Sequence, residues 1–201
     1  MSWTIEKFEL ASSIDEIAVV VAADYQHEAT TNIIDPYGFQ KVVKVLDGGQ
    51  SRRESVLKGL EALPKTTKVV AIHDGVRALV SPDDIDKVVN FASTERAAML
   101  ALPATDTLKK VKNNSIVETI NRDHIWLAQT PQAFEYKLIC QAHSKFDRNN
   151  SSQAIATDDA SLVEALGVGV RVVEPSSINL KVTTAEDLKY VEIVLGAKEH
   201  V

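Results

Sequence analysis

Residues 47–60 read Asp-Gly-Gly-Gln-Ser-Arg-Arg-Glu-Ser-Val-Leu-Lys-Gly-Leu, and residues 68–77 read Lys-Val-Val-Ala-Ile-His-Asp-Gly-Val-Arg. A glycine pair thus opens a helical pattern, which leads to the apolar run Val69–Ile72. Such a run is typical of a parallel strand covered on both faces. Ligands of open α/β sheets bind beyond the carboxyl ends of the strands. Asp74 and Arg77 follow this strand, and we interpret them as an oxygen ligand for a hard cation and a phosphate clamp.

The rest of the chain extends this alternation of strands and helices. Further apolar runs at 17–22, 42–45 and 97–102 predict buried strands, with another strand at 170–174. Helical spacing of apolar residues predicts helices at 52–63 and 135–146, and the start of the chain resembles a helix. The order β-α-β-α-β implies a parallel sheet with right-handed crossovers, and therefore an α/β fold.

Capping signals mark three more helices. Ser81-Pro82 is followed by acids and predicts a helix start. Thr157 is predicted to cap a helix that ends near residue 166, and Thr183 or Thr184 caps the last helix in a capping box with Glu186 or Asp187. Residues 24–40 are polar and poorly periodic, which predicts a loop with a short helix.

A protruding arm is predicted at about residues 106–124. Residues 107–112 and 116–120 form two strand-like runs that turn on two asparagines. Because an isolated hairpin is only marginally stable, the arm is expected to pack on something else, and a second subunit is the predicted partner.

Composition limits the classes of function. The chain has 201 residues, 45% hydrophobic and 25% charged, with a net charge of −6. This charge argues against nucleic-acid binding through a general positive field. No run is long and apolar enough for a membrane span, and the start lacks the apolar core of a signal peptide. The chain is predicted to be a single cytoplasmic domain that binds neither membrane nor nucleic acid.

Several motifs together resemble the 2-C-methyl-D-erythritol 4-phosphate cytidylyltransferase family. They occur in the family's order and cover nearly the whole chain. The matching segments are Asp47-Gly48-Gly49 with Arg52 and Ser55, His73-Asp74-Gly75-Val76-Arg77, Asp106-Thr107, Arg122, Gln129-Thr130-Pro131-Gln132-Ala133-Phe134, Thr157-Asp158-Asp159-Ala160-Ser161, and Asn179-Leu180-Lys181-Val182-Thr183. The resemblance implies a Rossmann-like, mostly parallel sheet with helices on both faces and an arm for dimerisation.

The same resemblance implies a reaction and its cofactor. A sugar-alcohol phosphate would attack the α-phosphorus of CTP, releasing pyrophosphate and forming CDP-methylerythritol, an isoprenoid precursor. Mg²⁺ is the expected cofactor, with Asp74 as its ligand and as a CTP contact. Gly48, Gly49 and Ser55 would contact cytosine and ribose, although a plain strand-to-helix turn explains the glycines too. Arg52 is expected to brace this turn.

The remaining candidates would hold the sugar-alcohol phosphate. The catalytic set implied by the resemblance is Lys181, Asp74 and Arg122. The substrate-binding set is Arg77, Thr107, Arg122, Thr130, Thr157 and Lys181. Thr107 and Arg122 would act across a homodimer. Two structural alternatives stay open: Arg77 can pair with Asp74, and Thr157 can serve only as a helix cap.

One family feature has no counterpart in the sequence. The family begins with a central strand and a glycine-rich loop carrying Arg and Lys, which wraps the triphosphate. Met1 falls in what resembles the following helix, so the chain is expected to be truncated and impaired in activity. Two alternative functions remain: a ribitol-5-phosphate cytidylyltransferase, and a non-catalytic homologue that acts as a binding or dimerisation module.

Overall fold

The computed structural model describes residues 1–148 and 157–198 of the chain. Its strands follow the predicted apolar runs closely, apart from the long β7. The strands are β1 (Ile17–Val21), β2 (Val42–Asp47), β3 (Val69–Ile72), β4 (Ala97–Pro103), β5 (Leu108–Lys112), β6 (Ser115–Ile120), β7 (Trp126–Glu135) and β8 (Arg171–Val173).

Four of the helices in the described residues begin at a capping side chain. Ser81 accepts a hydrogen bond from the Asp84 N–H, as predicted, and the Thr184 hydroxyl accepts one from the Asp187 N–H. The helices are α1 (Ser2–Leu10), α2 (Gln26–Ala29), α3 (Asp35–Tyr37), α4 (Arg52–Ala62), α5 (Pro82–Glu95), α6 (Tyr136–Arg148), α7 (Asp159–Glu164) and α8 (Ala185–Lys198).

The strands of the α/β layer form two separate ladders. β1 pairs with β2 in parallel, and four other strands follow the order β3-β7-β4-β8. β7 runs antiparallel to both of its neighbours, while β4 and β8 are parallel. The predicted mostly parallel α/β fold is therefore present, with one antiparallel strand in the middle of the larger ladder.

Helices cover both faces of the larger ladder, and the side chains of its strands alternate between them. Ala98 and Leu100 of β4 pack with α5 and Phe8, whereas Ala97 and Met99 pack with α4, α6 and α7. Phe134 of β7 is fully buried among the second group. A strand buried on both faces has no polar alternation, which is why the sequence shows continuous apolar runs.

Three details of the sequence prediction were wrong. β7 was not predicted as a strand, because Pro131 and polar residues interrupt its apolar pattern. Residues 26–37 are helical almost throughout, with a π-helical stretch at Thr30–Ile34 between α2 and α3, rather than a loop with one short helix. Thr157 does not cap α7; Asp158 does, by accepting a hydrogen bond from the Ser161 N–H.

The arm has the predicted form. β5 and β6 pair antiparallel, and Asn113 and Asn114 adopt φ values of 50° and 58° in the turn between them. Two consecutive residues with positive φ are the requirement of the type I′ hairpin turn, which asparagine tolerates well. Every residue of β6 is exposed.

In the part of the chain that the structure describes, no helix combines the length and apolar character that a bilayer span requires. The cytoplasmic location remains a prediction from the sequence.

Candidate active site

Asp74 lies in the turn that directly follows β3. The Arg77 N–H closes this turn by donating to the Asp74 carbonyl at 3.0 Å. The Asp74 N–H donates to the Thr130 hydroxyl at 3.0 Å, which ties the turn to β7. Backbone and neighbouring strand thus fix the position of the Asp74 carboxylate.

The Thr130 hydroxyl and the His73 ring form a short hydrogen-bonded chain beneath this turn. Thr130 donates to His73 Nδ1 at 3.1 Å, and His73 Nε2 donates to the Arg77 carbonyl at 3.1 Å. Burial lowers the pKa of His73 to about 4. The ring is therefore neutral near pH 7, and the two partners assign its proton to Nε2. The His73 ring thus links the Asp74 turn to β7.

The buried His73 ring is expected to make the stability of the fold sensitive to acid. Because the folded-state pKa of His73 lies below the ordinary 6.5, the unfolded state binds the extra proton first. We expect up to about 3 kcal/mol of unfolding free energy to be present above pH 6.5 and lost as the pH falls towards 4. Urea titrations across this range measure the loss. His73→Gln should flatten the slope, and an equal slope in both proteins would contradict the assignment.

Three cationic side chains surround the Asp74 carboxylate. Arg52 Nε lies 3.2 Å from Oδ1, while Lys181 Nζ and Arg77 Nε lie 3.2 and 3.6 Å from Oδ2. Burial raises the pKa of Asp74, but the contacts with Lys181 and Arg52 outweigh it, and the pKa is lowered overall. The carboxylate is thus ionised near neutral pH, and the cluster carries an excess of positive charge.

The segment that carries Lys181 also fixes the position of the Arg77 side chain. Its guanidinium donates to the Asn179 carbonyl at 2.8 Å, and the buried Asn179 amide donates to the Thr130 carbonyl at 2.8 Å. The Val182 N–H donates to the Val76 carbonyl at 2.9 Å, so the two loops run side by side. These bonds place Lys181 next to Asp74, although residues 74 and 181 are far apart in the chain.

Arg52 links the cluster to a second acid. Its Nη1 donates to Asp159 Oδ2 at 2.6 Å, and the fully buried His143 contacts Asp159 Oδ1 at 3.1 Å. Arg52 therefore bridges two carboxylates, one at β3 and one at the start of α7. The sequence analysis expected Arg52 to brace the turn at Gly48 and Gly49, but its side chain contacts Asp74 and Asp159 instead.

Gly48 and Gly49 allow α4 to approach β1 and β2 closely. A Cβ at Gly48 would lie 2.6 Å from the Ser55 hydroxyl, and one at Gly49 would lie 2.2 Å from the Glu54 Cβ. The Ser55 hydroxyl accepts from the Gly49 N–H at 3.0 Å and donates to the Ser51 carbonyl at 3.0 Å. The close turn alone therefore explains why glycines stand here, and the Ser55 hydroxyl already has partners within the loop.

Three candidate residues lie outside the Asp74 cluster. Thr107, Arg122 and Thr157 are exposed, and in the described ranges 1–148 and 157–198 none of their side chains makes a hydrogen bond or ion pair. Thr107 lies just before β5 and Arg122 just after β6, at the base of the arm. The chain by itself does not bring them together with Asp74 and Lys181.

Two supporting residues of the site were not singled out from the sequence. Gln132 donates to Asp158 Oδ2 at 2.7 Å and accepts from the Ala160 N–H at 3.0 Å, which fixes the start of α7. The Asp159 carboxylate forms an ion pair with the Arg52 guanidinium. Both lie inside segments that carried the family resemblance, but nothing in their spacing shows that they meet.

Among the described residues, no group of three or more His, Cys, Asp or Glu side chains could hold a metal ion. Asp74 thus offers a single carboxylate, which suits Mg²⁺ carried together with substrate phosphates and does not suit an all-protein cage.

Comparison with known proteins gives a consistent result. The sequence profile of 2-C-methyl-D-erythritol 4-phosphate cytidylyltransferase matches residues 1–197. Proteins of that name from Pelotomaculum thermopropionicum and Halalkalibacterium halodurans are 39% and 42% identical; the matches cover 97% and 90% of this chain and 81% and 78% of those proteins.

Comparison with solved structures points to the same family as the sequence comparison. The 4-diphosphocytidyl-2C-methyl-D-erythritol synthase of Anaerococcus prevotii superposes with a TM-score of 0.84 at 31% identity, covering 97% of this chain and 85% of that one. The Thermus thermophilus 2-C-methyl-D-erythritol 4-phosphate cytidylyltransferase gives 0.80 at 31% identity, with 96% and 86% coverage.

Proposed function

The chain belongs to the 2-C-methyl-D-erythritol 4-phosphate cytidylyltransferase family, and from this premise we propose how its residues serve the reaction. That reaction joins CTP and 2-C-methyl-D-erythritol 4-phosphate to give CDP-methylerythritol and pyrophosphate. The observation that carries the proposal is the group of three cations around Asp74, at the carboxyl end of β3. In a protein of net charge −6, such a local excess of positive charge suits phosphate groups.

The chemical step needs positioning and charge neutralisation more than covalent help from the protein. A phosphate oxygen of the sugar-alcohol phosphate attacks the α-phosphorus of CTP, and the bond from that phosphorus to the β-phosphate bridge breaks. The bonding electrons leave with pyrophosphate. Lys181 and Arg77 are proposed to stabilise the negative charge that gathers on the phosphates, as fixed cations do in phosphoryl transfer.

Asp74 is proposed to hold Mg²⁺ through one carboxylate oxygen. When bound, the metal would neutralise phosphate charge and complete its shell with phosphate oxygens and water. Lys181, which is nearly half exposed, can move from the carboxylate to a phosphate. Arg52 is anchored by Asp159 and would keep the other carboxylate oxygen in place.

The cytidine is proposed to lie beside the turn at Gly48 and Gly49 and to contact its backbone, because Ser55 and Glu54 already fill the space where side chains would stand. The Ser55 hydroxyl would contact the cytidine only by giving up one of its two hydrogen bonds within the loop. Thr130 is similarly committed to Asp74 and His73, so its contribution to substrate binding would be to fix the Asp74 turn. Thr157, which is exposed beside α7, keeps a free hydroxyl for substrate.

A homodimer is proposed to complete the site. The arm exposes Val111, Ile116 and Val117 by more than half, and the start of β7 exposes Trp126 and Leu127 by about as much. Clustered exposed apolar side chains of this kind mark protein interfaces. A partner docked on this surface would bring its own arm, with Thr107 and Arg122, towards Lys181 and Asp74.

Deleting residues 109–119 is expected to give monomers, because it removes the apolar strands of the arm. Light scattering measures the mass. The matched control is Lys110→Ala, which removes only an exposed ion pair with Glu118 and should leave the dimer intact. A wild-type protein that is monomeric at roughly tens of micromolar would contradict the dimer proposal.

The function itself is tested by pyrophosphate release with CTP, Mg²⁺ and 2-C-methyl-D-erythritol 4-phosphate. Ribitol 5-phosphate serves as the competing substrate, and the names of the relatives favour the methylerythritol compound. We expect kcat/KM for ribitol 5-phosphate to be lower by a factor of about ten or more. Calorimetry with CTP separates binding from turnover: binding without turnover by either substrate would support a non-catalytic homologue.

A further inference from the structure

A buried histidine outside the Asp74 cluster is connected to it through a series of hydrogen bonds. His143 lies on α6 and is fully buried. Its Nε2 donates to Asp159 Oδ1 at 3.1 Å, because a carboxylate oxygen accepts and the ring nitrogen must then be the donor. Arg52 Nη1 donates to the other Asp159 oxygen at 2.6 Å, and Arg52 Nε donates to Asp74 Oδ1 at 3.2 Å. The series joins α6, the start of α7 and the start of α4 to the turn after β3.

Packing does not explain a histidine at position 143. Its neighbours on α6, Ile139 and Ala142, belong to the same apolar core as Ala160 of α7. Among the described residues, the second ring nitrogen of His143, Nδ1, has no hydrogen-bond partner. A buried polar atom without a partner costs free energy that an apolar side chain would not cost. The hydrogen bond to Asp159 is therefore the contact that distinguishes this histidine from an ordinary core residue.

The Asp159 carboxylate has a defined orientation, because each of its oxygens has a different partner. Oδ1 faces His143 and Oδ2 faces Arg52. The backbone of the same turn is held by Gln132, which accepts from the Ala160 N–H at 3.0 Å. Without the histidine, one oxygen of this buried carboxylate would lose its partner, and both oxygens would compete for the Arg52 guanidinium. His143 thus determines which oxygen Asp159 presents to Arg52.

Arg52 transmits this orientation to the Asp74 carboxylate. Its side chain is 39% exposed, so burial alone does not hold it, and its contact with Asp159 is shorter than its contact with Asp74. Because a guanidinium is planar and rigid, the bond from Nη1 to Asp159 also fixes the direction in which the Nε–H points. The Nε–H binds Asp74 Oδ1, which leaves Oδ2 facing Lys181 at 3.2 Å.

We propose that His143 is a positioning residue for cytidylyl transfer, which acts through Asp159 and Arg52 to fix the orientation of the Asp74 carboxylate. The inference rests on the function proposed above. Side chains that orient a metal-binding carboxylate commonly change activity by about 10–100-fold when they are removed. Because the orientation of the charge matters most in the transition state, the loss of His143 lowers kcat and leaves the KM for CTP nearly unchanged.

Two substitutions separate the hydrogen bond of the histidine from its packing. His143→Leu replaces the ring by an apolar side chain of similar size, whereas His143→Gln retains a side-chain N–H donor. We expect kcat to fall about 10–100-fold in His143→Leu and to stay within about threefold of wild type in His143→Gln. The KM for CTP should stay within about threefold in both. The matched control is Ile139→Val, which loosens the core on the same helix; it should lower Tm and change kcat by less than about twofold.

The outcomes of these assays are decisive in each case. A kcat of His143→Leu within about threefold of wild type would overturn the proposal, and so would equal losses in His143→Leu and His143→Gln, which leave packing as the role of the residue. If His143→Leu does not fold, His143→Met replaces it, because the flexible methionine side chain adapts to the same space. If neither apolar variant folds, the histidine serves stability and the proposal is wrong.

A double-mutant cycle tests the route through Asp159. Asp159→Asn is expected to lower kcat by about 10–100-fold, because the amide lacks the charge that holds Arg52. Adding His143→Leu to this variant should lower kcat by less than about threefold further, since the histidine acts only through Asp159. If the two losses multiply instead, His143 acts by another route and the proposal is overturned.

A spectroscopic measurement separates this inference from the proposed function. The Arg52 Nε–H is observed by NMR in nitrogen-15-labelled protein without substrate, and Arg52→Lys assigns its signal. We expect its exchange with water to be at least about tenfold faster in His143→Leu and unchanged in His143→Gln. If wild type releases no pyrophosphate while this pattern holds, the function fails and the positioning of Asp74 stands. If wild type is active and the exchange in His143→Leu is unchanged, the positioning fails.

Discussion

Replacing Asp74 with asparagine is expected to lower kcat/KM for cytidylyl transfer by about 10³-fold. The change keeps the size of the side chain but removes the charge that faces Arg52, Arg77 and Lys181. In the proposed reaction Asp74 contacts Mg²⁺ and keeps its contact with Arg52 at 3.2 Å, and such charge-assisted contacts contribute about 1.5–3 kcal/mol each. At 1.36 kcal/mol per factor of ten, their loss gives a range of about 10²–10⁴.

The matched control is Asp83→Asn, which removes an exposed acid from the first turn of α5. It should change kcat/KM by less than about twofold, because that carboxylate contributes only a few tenths of a kcal/mol to its helix. Steady-state kinetics at several Mg²⁺ concentrations measure both variants. If Asp74→Asn stays within about tenfold of wild type at every Mg²⁺ concentration, neither the metal contact nor the cation cluster has the role proposed for it.

The Asp74 turn and its strand could be predicted because their signals are local. The apolar run of β3, the cap at Ser81 and the asparagine turn of the arm each depend on a few neighbouring residues. Local patterns of this kind predict the backbone without reference to tertiary contacts. The placement of Asp74 at the carboxyl end of β3 followed from them directly.

The supporting contacts could not be predicted, since they join residues distant in the chain. Thr130 was expected to offer its hydroxyl to substrate, and the structure uses that hydroxyl for the Asp74 N–H and His73. The link from Arg52 to Asp159 spans 107 residues. β7 can carry the polar Thr130 and Gln132 in its buried part, because buried protein groups rather than water supply the hydrogen bonds of these side chains.

The largest recovery of activity is expected from mixing two inactive variants, Lys181→Ala and Arg122→Ala. Lys181 contacts Asp74 within one chain, whereas Arg122 is exposed beside the arm and makes no side-chain contact of this kind in the described residues. If each site combines Lys181 of one subunit with Arg122 of the other, a mixed dimer contains one intact site. With equal amounts and free exchange, about a quarter of all sites are intact. Activity should then rise from about 10⁻³ to about a quarter of wild type, because each variant alone lacks a phosphate contact at every site.

Lys189→Ala, an exposed lysine of α8, serves as the matched control and should remain fully active alone. Subunit exchange is verified by mass spectrometry of differently labelled variants before the assay. If activity does not recover after verified exchange, the proposed sharing is wrong. Either Arg122 and Lys181 of one site come from the same subunit, or Arg122 takes no part in catalysis. Mixing Lys181→Ala with Asp74→Asn distinguishes these outcomes from general rescue: both residues belong to one chain's cluster, so every mixed dimer has one defect in each site and no recovery is expected.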